Sequence, residues 1–139
     1  MAKIIAIDYG GKRTGIAATD FNQIIVSPLV TIDTTDLTPW IKNYILTEKP
    51  ERVVIGYSLN LDDSENPLAR QAMLFAQNLE KHFPDLPIVF QDERYTSVDA
   101  ADMMIKGGFS KKYRRVKSNT DKMAAALILQ QYLDENTTE

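Results

Sequence analysis

The sequence predicts an α/β protein whose mixed sheet carries helices on both faces. Three apolar runs within residues 3–29 are separated by polar turns, which is typical of a meander of three antiparallel strands. Further along, helical stripes of apolar residues alternate with short apolar strands, which favours strands joined through helices. Residues 52–57 are apolar on both faces, so we expect this strand at the centre of the sheet and parallel to the first.

Composition indicates an ordinary soluble protein and limits the kind of metal site that the chain could form. With 139 residues, 44% of them hydrophobic and 25% charged, we expect a single domain spanning residues 1–139. We expect no membrane span, because no apolar run reaches roughly 18 residues. We expect no signal peptide, because the apolar stretch of residues 3–7 is too short and leads straight into a turn. The chain has no cysteine and a single histidine, His82, to which we assign no catalytic role. Any metal site would therefore use oxygen ligands, which favours Mg²⁺ or Mn²⁺ over zinc.

Turn, capping and breaker residues set the predicted element ends. The first strand ends at Asp8 and is followed by the glycine turn Gly10-Gly11. Thr38 is the predicted N-cap of the first helix, with Pro39 at its first helical position. We expect strands over residues 4–7, 16–18, 23–29, 52–57 and 86–91, and helices over residues 38–49, 66–83, 96–106 and 119–135.

Acidic residues stand where predicted strands end and where the last helix begins. Asp8 ends the first strand, Asp92 and Glu93 end the fifth, and Asp121 lies in the predicted first turn of the last helix. Ligands bind at the carboxyl ends of parallel strands, and gathered carboxylates repel one another unless a cation neutralises them. This pattern favours a Mg²⁺ site for a phosphate substrate. The structural alternatives are that Asp8 starts a turn and that Asp121 stabilises the helix dipole.

A basic segment gives the chain a local positive charge although its net charge is −3. Residues 106–117 contain six basic residues and no acidic residue, so this segment carries +6 and the remainder −9. Such a concentration of charge favours nucleic-acid binding, and a solvated loop is the alternative interpretation. The six residues are Lys106, Lys111, Lys112, Arg114, Arg115 and Lys117.

Four motifs, in order and covering nearly the whole chain, carry a resemblance to a known family. They are Asp8-x-Gly10-x-Lys12-Arg13-x-Gly15, Gly56-Tyr57-Ser58-Leu59-Asn60, Asp92-Glu93-Arg94-Tyr95-Thr96-Ser97 and Asp121-x-x-Ala124-Ala125-x-x-Ile128-Leu129. They resemble motifs of the YqgF/RuvX family in the RNase H-like nuclease superfamily, whose members are described as pre-16S rRNA nucleases or Holliday junction resolvases. The resemblance implies a five-stranded mixed sheet of order 3-2-1-4-5 and a cytoplasmic protein of ribosome biogenesis.

The resemblance also implies a role for each motif residue. Asp8 would bridge two metal ions, Glu93 and Asp121 would hold their outer sides, and Asp92 is the alternative to Glu93. Arg94 would pair with one of these acids or with a phosphate. Asn60 would orient a ligand or cap its own loop. Phe109 and Tyr113 lie within the basic segment and are available for stacking. The remaining residues expected to contact nucleic acid are Lys12, Arg13, Lys111, Lys112, Arg114, Arg115 and Lys117.

Three functions follow as hypotheses. The first is a Mg²⁺- or Mn²⁺-dependent nuclease acting on structured RNA such as the 5′ end of pre-16S rRNA, as a monomer or weak homodimer. The second keeps the chemistry but acts on branched DNA, where symmetric cutting of two strands would favour a stable dimer. The third is a non-catalytic RNA-binding factor that keeps the fold. Tyr57-Ser58 replaces the family's usual Leu-Pro, and Asp63 replaces a common glycine, so the shape of this loop is left open.

Overall fold

The computed structural model describes residues 2–57, 67–92 and 117–136. Five strands form one mixed sheet in the order β3-β2-β1-β4-β5. They are β1 Ile4–Asp8, β2 Arg13–Thr19, β3 Val26–Asp33, β4 Arg52–Tyr57 and β5 Ile88–Asp92. β1, β2 and β3 pair antiparallel, whereas β1, β4 and β5 pair parallel. The predicted meander, the parallel pairing of β4 with β1 and the sheet order are confirmed, whereas the middle strand is β1 and β4 lies between β1 and β5.

Helices cover both faces of this sheet, as predicted. They are α1 Leu37–Glu48, α2 Pro67–His82 and α3 Lys117–Asn136. α1 and α2 pack on one face, and α3 packs on the other. Among the helices described, none is long and apolar enough to span a membrane.

Several predicted element ends were wrong by up to four residues. β2 begins at Arg13 rather than at residue 16, and β3 ends at Asp33 rather than at residue 29. β3 begins at Val26 because the preceding loop is closed by the Asp20 carboxylate, which accepts hydrogen bonds from the backbone N–H groups of Ile24 and Ile25 at 2.8 and 3.1 Å. α1 begins at Leu37 after a 3₁₀ turn and has Asp36 as its N-cap, so the assignment of Thr38 was wrong. The helix predicted over residues 96–106 lies outside the described residues.

The start of α3 changes the interpretation of Asp121. The helix begins at Lys117, two residues earlier than predicted, so Asp121 is its fifth residue and lies beyond the first turn. The helix dipole acts on charges mainly within the first turn. The correction therefore weakens the alternative that Asp121 serves only to stabilise the end of this helix.

Alternation along the strands divides the core into two layers. Ile5 and Ile7 of β1 belong to the layer under α1 and α2, whereas Ile4 and Ala6 belong to the layer under α3. The α3 layer is built partly from alanines on both of its surfaces, including Ala6 of the sheet and Ala125 of the helix, which are fully buried. Small side chains on both surfaces allow the helix to lie close to the sheet.

A chain of hydrogen bonds fixes the turn between β1 and β2. The Thr34 hydroxyl donates to the Gly10 carbonyl at 2.7 Å, and the Thr14 and Thr34 hydroxyls are 2.9 Å apart. Because Thr34 uses its proton on Gly10, Thr14 donates to Thr34 and accepts the Gly10 N–H at 3.5 Å. The Thr34 N–H also donates to the Lys12 carbonyl at 2.9 Å. Thr14 is fully buried, and these bonds satisfy its hydroxyl.

The two glycines of this turn face different constraints. A Cβ atom added to Gly10 would lie 2.0 Å from the Arg13 carbonyl oxygen, whereas one added to Gly11 would meet nothing within 4 Å. The obstacle at Gly10 is backbone, which cannot rotate away as the end of a side chain can. Only glycine therefore fits at Gly10 without moving the turn.

We expect Gly10→Ala to lower the free energy of unfolding by roughly 1–3 kcal/mol, because the new methyl group forces the turn apart. The matched control is Gly11→Ala, for which the free energy of unfolding should stay unchanged or rise by up to about 1 kcal/mol. Urea denaturation of both variants measures the difference. Equal stabilities would contradict the close approach at Gly10.

A second prediction concerns the packing of α3. Ala125→Leu should lower the free energy of unfolding by roughly 1–3 kcal/mol, because the larger side chain overfills the contact between helix and sheet. Asp134→Leu, at an exposed position of the same helix, should change it by about 0.5 kcal/mol or less. Thermal unfolding monitored by circular dichroism checks the pair. An Ala125→Leu variant as stable as the wild type would show that space remains beneath α3.

Candidate metal and nucleic-acid site

Asp8 is the last residue of β1 and lies, half-buried, at the carboxyl edge of the sheet. The register places Gly15 of β2 on one side of it and Gly56 of β4 on the other. Because these two paired neighbours have no side chain, they leave space on either side of the carboxylate. Asp8 shares the direction of Ile4 and Ala6, so it lies on the face covered by α3. This arrangement leaves room for ions or phosphate oxygens at the carboxylate.

The row of paired residues that contains Asp8 and Gly56 continues across the sheet to Gln91, near the end of β5. Gln91 pairs with Gly56, so it lies two strands from Asp8, about 10 Å between Cα atoms. The Gln91 amide donates to the Glu135 carboxylate of α3 and lies 3.2 Å from both of its oxygens. This contact joins the end of β5 to α3 on the Asp8 face. Neither Gln91 nor Glu135 was predicted, because the pairing depends on a register that local patterns do not reveal.

The structure describes the positions of some of the predicted acids but not of all. Asp92 ends β5, as predicted, and Asp121 occupies a position of α3 one turn before Ala125, on the same face of the helix. Glu93 lies outside the described residues. Within the described part of the chain, no group of three or more histidine, cysteine, aspartate or glutamate residues is arranged to hold a metal ion. The shared site of Asp8, Glu93 and Asp121 stays a prediction.

The predicted phosphate contacts closest to Asp8 in the chain lie in the turn that follows it. Lys12 and Arg13 are exposed there, four and five residues beyond Asp8. The hydrogen bonds of Thr34 to Gly10 and Lys12 hold the backbone from which these cations extend. Lys117 begins α3. The other predicted contacts lie outside the described residues: Asn60, Arg94, Lys111, Lys112, Arg114 and Arg115.

Tyr9 leaves the sheet on the opposite face from Asp8. Its ring lies 5.6 Å from that of Phe75 in α2, tilted by 40°, and it lines a cavity of about 340 Å³. Burial raises the pKa of the Tyr9 hydroxyl above its usual value of 10.0, so this group is neutral at physiological pH.

His82 lies far from Asp8, at the exposed end of α2, as predicted. One of its ring nitrogens contacts the Asn78 carbonyl at 2.9 Å, and the other lies 3.2 Å from the Lys42 ammonium. This end of α2 borders a larger cavity of about 570 Å³ at the amino edge of β5. These contacts give His82 a structural role at the end of its helix.

Comparisons with known proteins agree over nearly the whole chain. The family model described as "RuvX: Holliday junction resolvase" matches residues 2–135. A protein of Amoebophilus asiaticus named "Putative pre-16S rRNA nuclease" is 44% identical over 133 residues, covering 96% of this chain and 94% of its own. A protein of the same name from Phocaeicola vulgatus is 42% identical over 134 residues, covering 96% of each chain.

A solved structure gives the fold. Thermus thermophilus RuvC in complex with a Holliday junction substrate superposes with a TM-score of 0.63, covering 100% of this chain and 99% of its own. At 15% sequence identity this likeness establishes the fold alone, which is of the RNase H-like type. The family match and the two relatives above 40% identity show that the chain belongs to the RuvX family.

Proposed function

We propose that this protein is a divalent-metal-dependent nuclease that hydrolyses phosphodiester bonds at the 5′ end of pre-16S rRNA. The observation that carries the proposal is the setting of Asp8. This acid stands at the carboxyl edge of the sheet between two glycines, and two exposed cations follow it in a fixed turn. The names of the two relatives support the substrate. A cytoplasmic location, one domain over residues 1–139 and a monomer or weak homodimer complete the proposal.

The donor set fits Mg²⁺ or Mn²⁺. Asp8, Glu93 and Asp121 offer carboxylate oxygens, the chain has no cysteine, and His82 lies at the other end of the sheet. Asp92 is the alternative to Glu93. Val89 and Gln91 lie on the α3 face of β5, as Asp8 does in β1, and this alternation favours the odd-numbered Glu93. When bound, two such ions activate a water molecule and stabilise the leaving oxygen.

The cations of the chain hold the substrate against these acids. Phosphate groups repel Asp8, so Lys12 and Arg13 in the adjacent turn offset that repulsion and fix the phosphate near the carboxylate. The basic segment of residues 106–117 binds the backbone further along, and its charge accelerates association. The acids thus perform the chemistry, and the cations position the nucleic acid.

A second candidate function is resolution of branched DNA. The description of the matching family and the substrate in the RuvC complex favour it. A resolvase cuts two strands symmetrically, so this function calls for a stable dimer, whereas trimming of RNA does not. Analytical ultracentrifugation together with the assay below separates the two functions.

The decisive experiment is a cleavage assay of precursor rRNA and four-way DNA junctions side by side, with Mg²⁺, Mn²⁺ or EDTA. Asp8→Asn should lower the cleavage rate by roughly 100-fold or more, as the loss of one electrostatic group in an active site commonly does. Asp85→Asn, an exposed acid at the amino edge of the sheet, is the control and should cleave as the wild type does. Cleavage that persists in EDTA or in Asp8→Asn would overturn the mechanism.

A binding experiment distinguishes the nuclease from a non-catalytic RNA-binding factor. Replacing Lys111 and Lys112 by glutamine should weaken RNA binding and reduce the salt dependence of the binding constant by about one unit of slope per lost contact. Asp8→Asn should bind RNA as tightly as the wild type or more tightly, since it removes a charge that repels phosphate.

The matched control replaces Lys49 and Lys81, exposed lysines at the opposite end of the sheet, by glutamine. This control should bind RNA with unchanged affinity. An Asp8→Asn variant that restores ribosome maturation in cells as fully as the wild type would favour the non-catalytic factor instead.

A further inference from the structure

Tyr9 and α2 border a cavity of about 340 Å³ next to the sheet edge that carries Asp8. We propose that this cavity receives one unpaired base of the nucleic acid, beside the phosphate that is cut. The inference rests on the nuclease function proposed above and adds to it a site that distinguishes unpaired from paired substrate.

The position of the cavity relative to Asp8 is the first argument. Tyr9 directly follows Asp8, and alternation directs the two residues to opposite faces of the sheet, Asp8 towards α3 and Tyr9 towards α2. A nucleic-acid strand lying across the carboxyl edge of the sheet would therefore place a phosphate on the Asp8 face and a base on the Tyr9 face. The Thr34 side chain borders the cavity and also bonds the Gly10 carbonyl, so cavity and turn share one rigid support.

The shape and lining of the cavity suit a nucleobase. Phe75 is buried and its ring contacts that of Tyr9, so the cavity has an aromatic surface on which a base could stack. Leu74 of α2 also lines the cavity, and 59% of its surface is exposed, so its side chain is accessible to a ligand. Gln71 and Thr38 add an amide and a hydroxyl that match the hydrogen-bonding edges of a base. The volume lies in the range of small-ligand sites, roughly 300–1,000 Å³.

The uncharged lining of the cavity favours a base over a phosphate as its ligand. Among the described residues that border the cavity, none is an aspartate, glutamate, lysine, arginine or histidine. A phosphate in this cavity would lose its hydration without gaining a cation. In the proposed function, phosphate is bound by Lys12 and Arg13 in the neighbouring turn. The larger cavity at the other end is bordered by charged residues such as Lys49 and Glu51, so it lacks this neutral character.

The experiment measures RNA binding in EDTA, where no cleavage is expected, with a single 2-aminopurine moved through a short single-stranded RNA. In the wild type, one position should change its fluorescence on binding. Leu74→Ala and Gln71→Ala should abolish that change and weaken binding of the single strand about tenfold, or about 1.4 kcal/mol. Fully paired RNA should bind all variants equally, because its bases are not available.

Met73→Ala is the matched control. Met73 is 53% exposed, adjoins Leu74 in α2 and does not border the cavity, so this variant should behave as the wild type does. Leu74 and Gln71 are both exposed, so their replacement should leave the fold intact, and thermal unfolding verifies this.

Three outcomes would overturn the inference. They are unchanged fluorescence at every position, variants of Leu74 and Gln71 that bind single strands as the wild type does, and equal losses for paired and unpaired RNA. Displacement of the fluorescence change by free adenosine monophosphate at the affinity of the oligonucleotide would assign the cavity to a free nucleotide instead. The nuclease function is tested separately by cleavage with Asp8→Asn, so either conclusion can fail alone.

Discussion

The hydrogen bonds that join Gly10, Thr14 and Thr34 determine where every charged group of the turn lies. The Thr14 hydroxyl is buried, and an unsatisfied buried hydroxyl costs about 1–3 kcal/mol, so the turn cannot open without a substantial penalty. Asp8 precedes this turn, and Lys12 and Arg13 extend from it. A carboxylate and two cations are thereby held a few residues apart on a rigid backbone, which is the condition for binding a phosphate beside an acid.

Binding a phosphate beside Asp8 also requires space around the carboxylate, and the register of the sheet provides it. Gly15 and Gly56 are paired with Asp8 in the neighbouring strands, and neither has a side chain that would occupy the space beside the carboxylate. Alternation then assigns different tasks to consecutive residues, with Asp8 on the α3 face and Tyr9 on the α2 face. The end of β1 thus contributes a residue to each face of the sheet. The close approach of α3, which its alanines allow, brings the helix that carries Asp121 onto the Asp8 face of the sheet.

Features that depend on local patterns could be predicted, and features that depend on register could not. β4 was predicted with its observed bounds because an apolar run between polar residues is a local signal. The start of α1 was wrong because a 3₁₀ turn over Thr34–Asp36 leads directly into the helix, and Asp36 occupies the N-cap without a side-chain capping bond, so the capping signal at Thr38 is not used. Asp8 was predicted to end the first strand, as it does, because an apolar run that stops at a carboxylate is also a local signal. The partnership of Thr14 with Thr34, twenty residues apart, leaves no trace in either local sequence.

Charge and shape make separate contributions to recognition in this fold. The basic segment ends at Lys117, where α3 begins, and the remainder of the chain is negative, so a phosphate backbone is attracted only where cations are concentrated. Such attraction cannot select unpaired strands, since paired and unpaired strands both carry phosphate and the paired form has the higher charge density. Discrimination therefore requires an uncharged surface near the acid, and the cavity at Tyr9 is bordered by neutral residues at that edge. A nuclease that trims a precursor needs both properties, because attraction without discrimination would expose every paired region to cleavage.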